Sequence, residues 1–230
     1  MNPKVNLALH QVAFNWPGSK SFTLAIEAFS LHAGERVLLL GPSGSGKSTL
    51  LSLLCGVVNP DSGSVEVAGE NITSMSAAKR DRFRAEHIGV IFQQFNLLPY
   101  GTVADNVLLP LAFAPKRRQQ VGDGMAEAKR LCQALQLPED VLSASAGELS
   151  VGQQQRVAVA RALIGQPEVI IADEPTSALD SDSQQAFMEL LFDQVKASAS
   201  SLLMVSHDAS LASKFDRVVR IDELQKEASC

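Results

Sequence analysis

The chain has 230 residues, 46% of them hydrophobic, and its 20 basic and 25 acidic side chains give a formal net charge of −5. This length suits one large α/β domain, and the composition lies outside the range of disordered chains. The acidic balance argues against a nucleic-acid partner, and three cysteines without metal-type spacing are too few for a disulfide framework.

The sequence shows no pattern of a membrane-spanning or secreted protein. No apolar run approaches the roughly 20 residues that cross a bilayer. The first residues, MNPKVNLALHQ, lack the basic region and apolar core of a signal peptide. We therefore expect a cytoplasmic protein whose membrane role comes through another chain. The nearest basic run, residues 116–118, is interpreted as a solvated helix start or loop.

Two strands are predicted at the start of the chain. Apolar side chains alternate along residues 5–9, and residues 22–31 form a second run after the turn at Pro17-Gly18. This pattern predicts antiparallel strands of a small β subdomain. The continuous apolar run at 36–40 is typical of a strand that is buried on both faces.

The rest of the core is predicted from short apolar runs and helical spacing. Cys55 closes an apolar helical stretch and is interpreted as a core residue. The pattern predicts helices over 47–55 and 183–197, and strands over 64–68, 88–92, 169–172, 202–205 and 217–221.

The sequence pattern changes over residues 96–163 from short apolar runs to helical periodicity, as at 125–135, with loops and polar insertions between. We interpret this segment as a helical subdomain inserted into a core of about residues 1–95 and 164–230, within one domain. The predicted fold class is α/β, with a mostly parallel sheet, an N-terminal antiparallel β subdomain and an inserted helical lobe.

A phosphate-binding loop follows the strand at 36–40. It fits the pattern G-x-x-x-x-G-K-[ST], and a helix follows it, as this motif requires. Glycines let backbone N–H groups surround a phosphate, and the helix start attracts the same anion. Lys47 is expected to reach the β- and γ-phosphates of ATP, and Ser48 to coordinate Mg²⁺. The candidate ATP-binding residues here are Gly41, Pro42, Ser43, Gly44, Ser45, Gly46, Lys47, Ser48 and Thr49.

An acidic pair, Asp173-Glu174, follows the apolar strand at 169–172. Carboxyl ends of parallel strands are where open α/β sheets bind ligands. Asp173 is predicted to hold Mg²⁺, and Glu174 to polarise the attacking water as a general base. Together with the phosphate loop, the pair predicts a P-loop NTPase core. Kinases, GTPases and motor ATPases share these features.

The segment Leu149-Ser150-Val151-Gly152-Gln153-Gln154-Gln155-Arg156 separates these classes. It resembles the LSGGQ signature of ABC ATPases, and the resemblance extends over nearly the whole chain. Ser150 and the following backbone cap a helix start that can bind an anion. The resemblance implies that Ser150, Gly152 and Gln153 contact the γ-phosphate held by the opposite subunit, so that ATP is sandwiched in a homodimer.

The resemblance assigns further residues. Gln93 matches the glutamine that touches Mg²⁺ or the attacking water, and His207 matches the histidine that contacts the γ-phosphate. Asp180, in Ser177-Ala178-Leu179-Asp180, matches the loop that crosses the dimer seam. Trp16 matches the aromatic residue that stacks on adenine, with Phe14 as the alternative.

One position departs from the family pattern, because Val151 stands where the family has glycine. A β-branched side chain restricts the backbone beside the γ-phosphate site. Val151 is therefore expected to affect both the affinity of the ATP-bound dimer and the rate of turnover.

Residues 88–99 and 102–107 look most like the lipoprotein-release, macrolide-export and cell-division group. That resemblance implies a peripheral ATPase on the inner membrane face that drives an integral membrane permease. Amino-acid importers, soluble ABC ATPases and a regulator without turnover are the alternatives.

Overall fold

The computed structural model describes residues 4–18, 23–177 and 179–225. Its strands form two sheets, one with the order β2-β1-β4-β5 and one with the order β6-β7-β8-β3-β9. Phe22 of the predicted second strand, Ala178 of the predicted dimer-seam loop and the third cysteine, Cys230, lie outside the described residues. The strands are β1 (Val5–Asn15), β2 (Thr23–His32), β3 (Arg36–Leu40), β4 (Ser62–Val67), β5 (Glu70–Asn71), β6 (Ile88–Ile91), β7 (Val169–Asp173), β8 (Ser201–Ser206) and β9 (Arg217–Arg220).

The first sheet confirms the predicted antiparallel pair at the start of the chain. β1 pairs antiparallel with β2, with Leu9 opposite Phe29 and Ala13 opposite Ala25. Alternate side chains of each strand enter a common core, because successive residues point to opposite faces of a sheet. This sheet brings the end of β1, and Trp16 just after it, close to the second sheet.

The second sheet is parallel throughout the pairings of β6, β7, β8, β3 and β9. Its strands match the predicted apolar runs to within two residues. Leu38 and Leu39 of β3 belong to different hydrophobic clusters, which shows that β3 carries side chains into a core on each face. The carboxyl ends of β3, β7 and β8 therefore lie at one edge, where strand order reverses around β3.

Helices cover both sheets, and none in the described ranges is long and apolar enough to cross a membrane. Four helices, α3 to α6, lie between β6 and β7, in the segment for which the sequence predicts a helical lobe. The helix α2 was not predicted from the sequence. The helices are α1 (Lys47–Leu54), α2 (Ala77–His87), α3 (Val103–Phe113), α4 (Pro115–Val121), α5 (Gly124–Ala134), α6 (Val151–Leu163), α7 (Ser181–Ala197) and α8 (Ile221–Leu224).

The interpretation of residues 116–118 as solvated is wrong for Arg117, whose exposed fraction is 3%. Its guanidinium donates to the backbone carbonyls of Ala85, Ala162 and Ile164. Burial lowers the pKa of Arg117 to about 10, against the opposing charges of Glu86 and Glu168. These hydrogen bonds occupy carbonyl groups at the ends of α2 and α6 and thereby join α4 to both helices.

We predict that Arg117→Ala lowers the free energy of unfolding by about 3 kcal/mol, because several buried carbonyl groups lose a charged donor. Denaturant unfolding at neutral pH measures the difference. The neighbouring Arg118 is exposed on the same helix, and Arg118→Ala should change stability by less than about 0.5 kcal/mol. Equal losses for the two variants would contradict the role assigned to Arg117.

Candidate functional site

The phosphate loop connects the end of β3 to the start of α1. Gly44 and Gly46 adopt φ values of 79° and 96°, a region that glycine enters without strain. Lys47 is the first residue of α1, and its Nζ donates to the carbonyl oxygens of Gly41 and Pro42 at 2.7 and 2.8 Å. The side chain of Lys47 thus lies along the loop and not out in solvent.

A cavity of about 490 Å³ opens over this loop. Its volume falls within the range that small-molecule sites occupy. The structure brings most of the sequence-predicted residues together around it, while Gly41, Pro42 and Ser45 remain in the loop beside it. The lining residues are Trp16, Ser43, Gly44, Gly46, Lys47, Ser48, Thr49, Gln93, Asp173 and Glu174.

Asp173 and Glu174 stand at the carboxyl end of β7. Burial and then the charge of Glu174 raise the pKa of Asp173, while Lys47 opposes that shift. Glu174 has a φ of 44°, a strained value for a residue with a side chain. Its N–H donates to the carbonyl of Val205 at 3.0 Å, which holds this turn against β8.

The Glu174 carboxylate lies between two basic side chains. Its Oε1 is 3.8 Å from Lys47 Nζ, and its Oε2 is 3.1 Å from His207 Nδ1. His207 follows β8 and lines a second cavity of about 400 Å³, which Glu174 also lines. Glu174 is therefore the group at which the phosphate cavity and the histidine cavity meet.

Trp16 presents its ring at the side of the phosphate cavity, with 41% of its surface exposed. Its Nε1–H donates to Thr49 Oγ1 at 3.0 Å, and this bond fixes the orientation of the indole. Phe14 is buried and packs edge-on against Trp16, with ring centroids 5.1 Å apart. Trp16 and Phe14 were the two candidates for the aromatic residue that stacks on adenine, and of these Trp16 lines the cavity.

The signature residues lie away from this cavity, at the start of α6. Ser150 caps the helix, since its Oγ accepts from the Gln153 N–H at 3.3 Å and Gln153 Oε1 accepts from the Ser150 N–H at 2.9 Å. Val151 has 53% of its surface exposed. A Cβ added to Gly152 would meet no atom within 4 Å. This helix start is consequently open to a second molecule.

Asp180 also lies outside the cavity and caps the start of α7. Its carboxylate accepts from the N–H groups of Asp182 and Ser183 at 3.1 and 2.9 Å. Hydrogen bonds from Ser183, first from its backbone and then from its side chain, lower the pKa of Asp180. In this chain Asp180 therefore stabilises its own helix, and its predicted contact across a dimer seam stays a prediction.

Arg161, which is buried near the end of α6, was not among the residues predicted from the sequence. Its guanidinium donates to the carbonyls of Phe95 and Asn96, which follow Gln93 and have φ values of 58° and 49°. Arg161 thus holds a strained turn next to Gln93. The signal in the sequence was a basic residue within the apolar stretch 157–163.

The chemistry of the cavity suits Mg²⁺ bound together with phosphate. The hydroxyl of Ser48, the amide of Gln93 and the carboxylate of Asp173 are oxygen donors around one cavity. Within the described residues, no cluster of three or more His, Cys, Asp or Glu side chains is placed to hold a metal. Mg²⁺ typically takes one or two carboxylates plus substrate phosphates, and the donor set fits that pattern.

The buried strand, glycine loop, helix and adjacent carboxylates define a phosphate-loop nucleotide-binding protein. A model of the ABC transporter family matches residues 26–177, more than half of the chain. The chain therefore belongs to the ABC transporter family, as an ATP-binding protein. This confirms both the resemblance and the fold class that the sequence predicts.

Two curated relatives fall in the expected group. The chain is 40% identical over 192 residues to the lipoprotein-releasing system ATP-binding protein LolD of Pseudomonas syringae pv. tomato, covering 84% of this chain and 83% of that protein. It is 39% identical over 212 residues to the macrolide export ATP-binding/permease protein MacB of Rhodopirellula baltica, covering 90% of this chain. The chain spans only about a third of the length of the MacB relatives, 29% and 33%.

Solved structures show the same fold. A dimeric structure of MJ0796, a bacterial ABC transporter cassette, matches with a TM-score of 0.80 at 32% identity, covering 93% of both chains. A second dimeric structure of that cassette, in a post-hydrolysis state bound to ADP and Pi, matches with a TM-score of 0.75 at 31% identity, covering 95% of this chain and 94% of that one.

Proposed function

We propose that this chain hydrolyses ATP as one half of a homodimer and thereby drives a membrane permease. The observation that carries the proposal is the Glu174 carboxylate, which lies 3.8 Å from Lys47 Nζ and 3.1 Å from His207 Nδ1 at the mouth of the phosphate cavity. A carboxylate at this position can accept a proton from a water molecule that attacks a phosphate held by the loop.

Each residue has a separate part in the proposed reaction. Lys47 and the loop N–H groups bind the β- and γ-phosphates, and Trp16 stacks on adenine. Ser48, Gln93 and Asp173 would hold Mg²⁺, which neutralises phosphate charge when bound. Glu174 takes the proton from the attacking water, while His207 orients Glu174 and contacts the γ-phosphate. The released products are ADP and phosphate.

The homodimer is supported by the position of the signature residues. Ser150, Gly152 and Gln153 line neither the phosphate cavity nor the histidine cavity of their own chain. Their helix start faces outward and can meet the γ-phosphate held by a second copy. MJ0796, to which this chain is similar, forms a dimer. We propose a dimer here in which ATP is sandwiched between the two copies, with Asp180 at the seam.

An apolar groove is the proposed contact with the membrane partner. The groove encloses about 680 Å³ between α2, β6 and α3, and Arg161 is part of its wall. Phe113, with 64% of its surface exposed, and Phe92 stand at its opening. Exposed aromatic residues around a concave surface are typical of protein interfaces. Because LolD and MacB are named for lipoprotein release and macrolide export, we propose a permease of that group, with this ATPase on its cytoplasmic side.

We predict that Glu174→Gln leaves ATP binding intact and slows hydrolysis by at least about a hundredfold, the size expected for losing a positioned base. Phosphate release measures the rate, and size-exclusion chromatography with ATP should show an accumulated dimer. Glu189→Gln, an exposed change on α7, should hydrolyse ATP at the parent rate. Hydrolysis by Glu174→Gln at that same rate would remove Glu174 from its role.

We predict that Val151→Gly tightens the ATP-bound dimer and leaves hydrolysis equal or faster. A charge-assisted backbone hydrogen bond stabilises by about 1.5–3 kcal/mol, whereas ordering a glycine costs about 0.5–1 kcal/mol. In a Glu174→Gln background, the fraction of dimer is measured as a function of ATP concentration for the chain with Val151 and for the chain with glycine at this position. The ATP affinity of the monomer serves as the control. If the glycine variant forms a weaker dimer, the prediction is wrong and the Val151 side chain contributes to the dimer contact.

We predict that Phe113→Asp abolishes association with an integral membrane protein, because a carboxylate at the groove opening opposes apolar contact. The tagged chain is purified from detergent-solubilised membranes of its source organism, and bound proteins are identified by mass spectrometry. Met125→Asp is the matched control, since Met125 is also exposed but does not line the groove. Retention of the membrane protein by Phe113→Asp, or its loss by both variants, would contradict the proposed surface.

A further inference from the structure

The segment after β9 runs directly beneath the phosphate loop. Ile221, the first residue of α8, is buried against Gly41, and a Cβ on Gly41 would lie 2.5 Å from Ile221 Cγ2. Four residues later, Gln225 forms an isolated antiparallel bridge with Ile26 of β2. The segment 221–225 is therefore held by the phosphate loop at its start and by the antiparallel sheet at its end.

At the second of these contacts, the Gln225 side chain also reaches the phosphate loop. Its Nε2 donates to the backbone carbonyl of Ser45 at 2.8 Å, across 180 positions of sequence. The carbonyl of Ser45 and the N–H of Gly46 belong to one planar trans peptide, so they point in opposite directions. Gln225 does not line the phosphate cavity, so a Ser45 carbonyl that accepts from Gln225 leaves the Gly46 N–H on the side of the cavity.

The orientation of this peptide matters because Gly46 lines the phosphate cavity. Gly46 has no Cβ, so it adopts a φ of 96° without strain, and its peptide can change orientation at low energetic cost. The Ser45 N–H bonds the Pro42 carbonyl at 3.3 Å within the loop. The Gln225 amide is a contact from outside the loop that fixes the Ser45–Gly46 peptide.

We propose that Gln225 is a positioning residue for nucleotide binding, which holds the Gly46 N–H toward the phosphates through the Ser45 carbonyl. The proposal rests on the function proposed above, in which this cavity binds ATP. Removal of the amide leaves the catalytic groups in place and lowers only the fraction of loops with the competent peptide orientation. Nucleotide affinity should fall by that fraction, while the rate at saturating ATP stays unchanged.

The test uses the full chain with Gln225→Met, which keeps side-chain length and removes the donor. Gln225→Glu presents a carboxylate oxygen to the Ser45 carbonyl and serves as a second variant. We expect Gln225→Met to weaken ATP and ADP binding about five- to tenfold by calorimetry, the loss of one hydrogen bond. Gln225→Glu should weaken both at least as much. In hydrolysis, KM should rise for both variants while kcat remains at the parent value.

Two controls separate the outcomes. Gln185 on α7 is exposed and bonds Glu189 at 3.1 Å, so Gln185→Met should leave nucleotide affinity and the thermal midpoint unchanged. Lys47→Ala should abolish ATP binding, because it removes the ammonium group that contacts the phosphates. Parent affinity in both Gln225 variants, with Lys47→Ala unable to bind, would overturn this inference alone.

The remaining outcomes are also decisive. A fall in kcat together with affinity, and a thermal midpoint well below that of Gln185→Met, would make Gln225 a structural residue and overturn its positioning role. Parent ATP affinity in Lys47→Ala would instead show that the cavity is not the ATP site, so the proposed function would fail first.

Discussion

β3 is buried on both faces, and this burial positions the phosphate loop that follows it. Its side chains enter two separate cores, and its backbone pairs with β8 and β9 on either side. A strand held in this way cannot shift register without exposing apolar surface. The glycine loop at its end is thereby fixed against the ends of β7 and β8, where Glu174 and His207 lie.

The candidate site is divided between groups that converge within one chain and groups that face away from it. Lys47, Glu174 and His207 converge because parallel strands end at one edge of the sheet. Ser150 and Asp180 instead cap the starts of α6 and α7, on surfaces apart from the cavity. This division is the reason that the proposed function includes a second copy, which would supply the other wall of the site.

Buried polar side chains connect the site to the rest of the molecule. Arg117 and Arg161 both donate to backbone carbonyls at turns or helix ends, and both border the apolar groove. Arg161 thus lies between the groove and the turn that follows Gln93. Contacts of this kind satisfy carbonyl groups that would otherwise be costly to bury.

The fold class, most element boundaries and the phosphate loop could be predicted from the sequence, because they depend on local periodicity and on a motif of eight contiguous residues. It did not reveal the burial of Arg117, the carbonyl bonds of Arg161 or the reach of Gln225 to Ser45. The partners in those contacts are separated in the sequence by 45, 65 and 180 positions, respectively. They are visible in the folded chain alone, because local patterns carry no information about which distant carbonyl groups a polar side chain will contact.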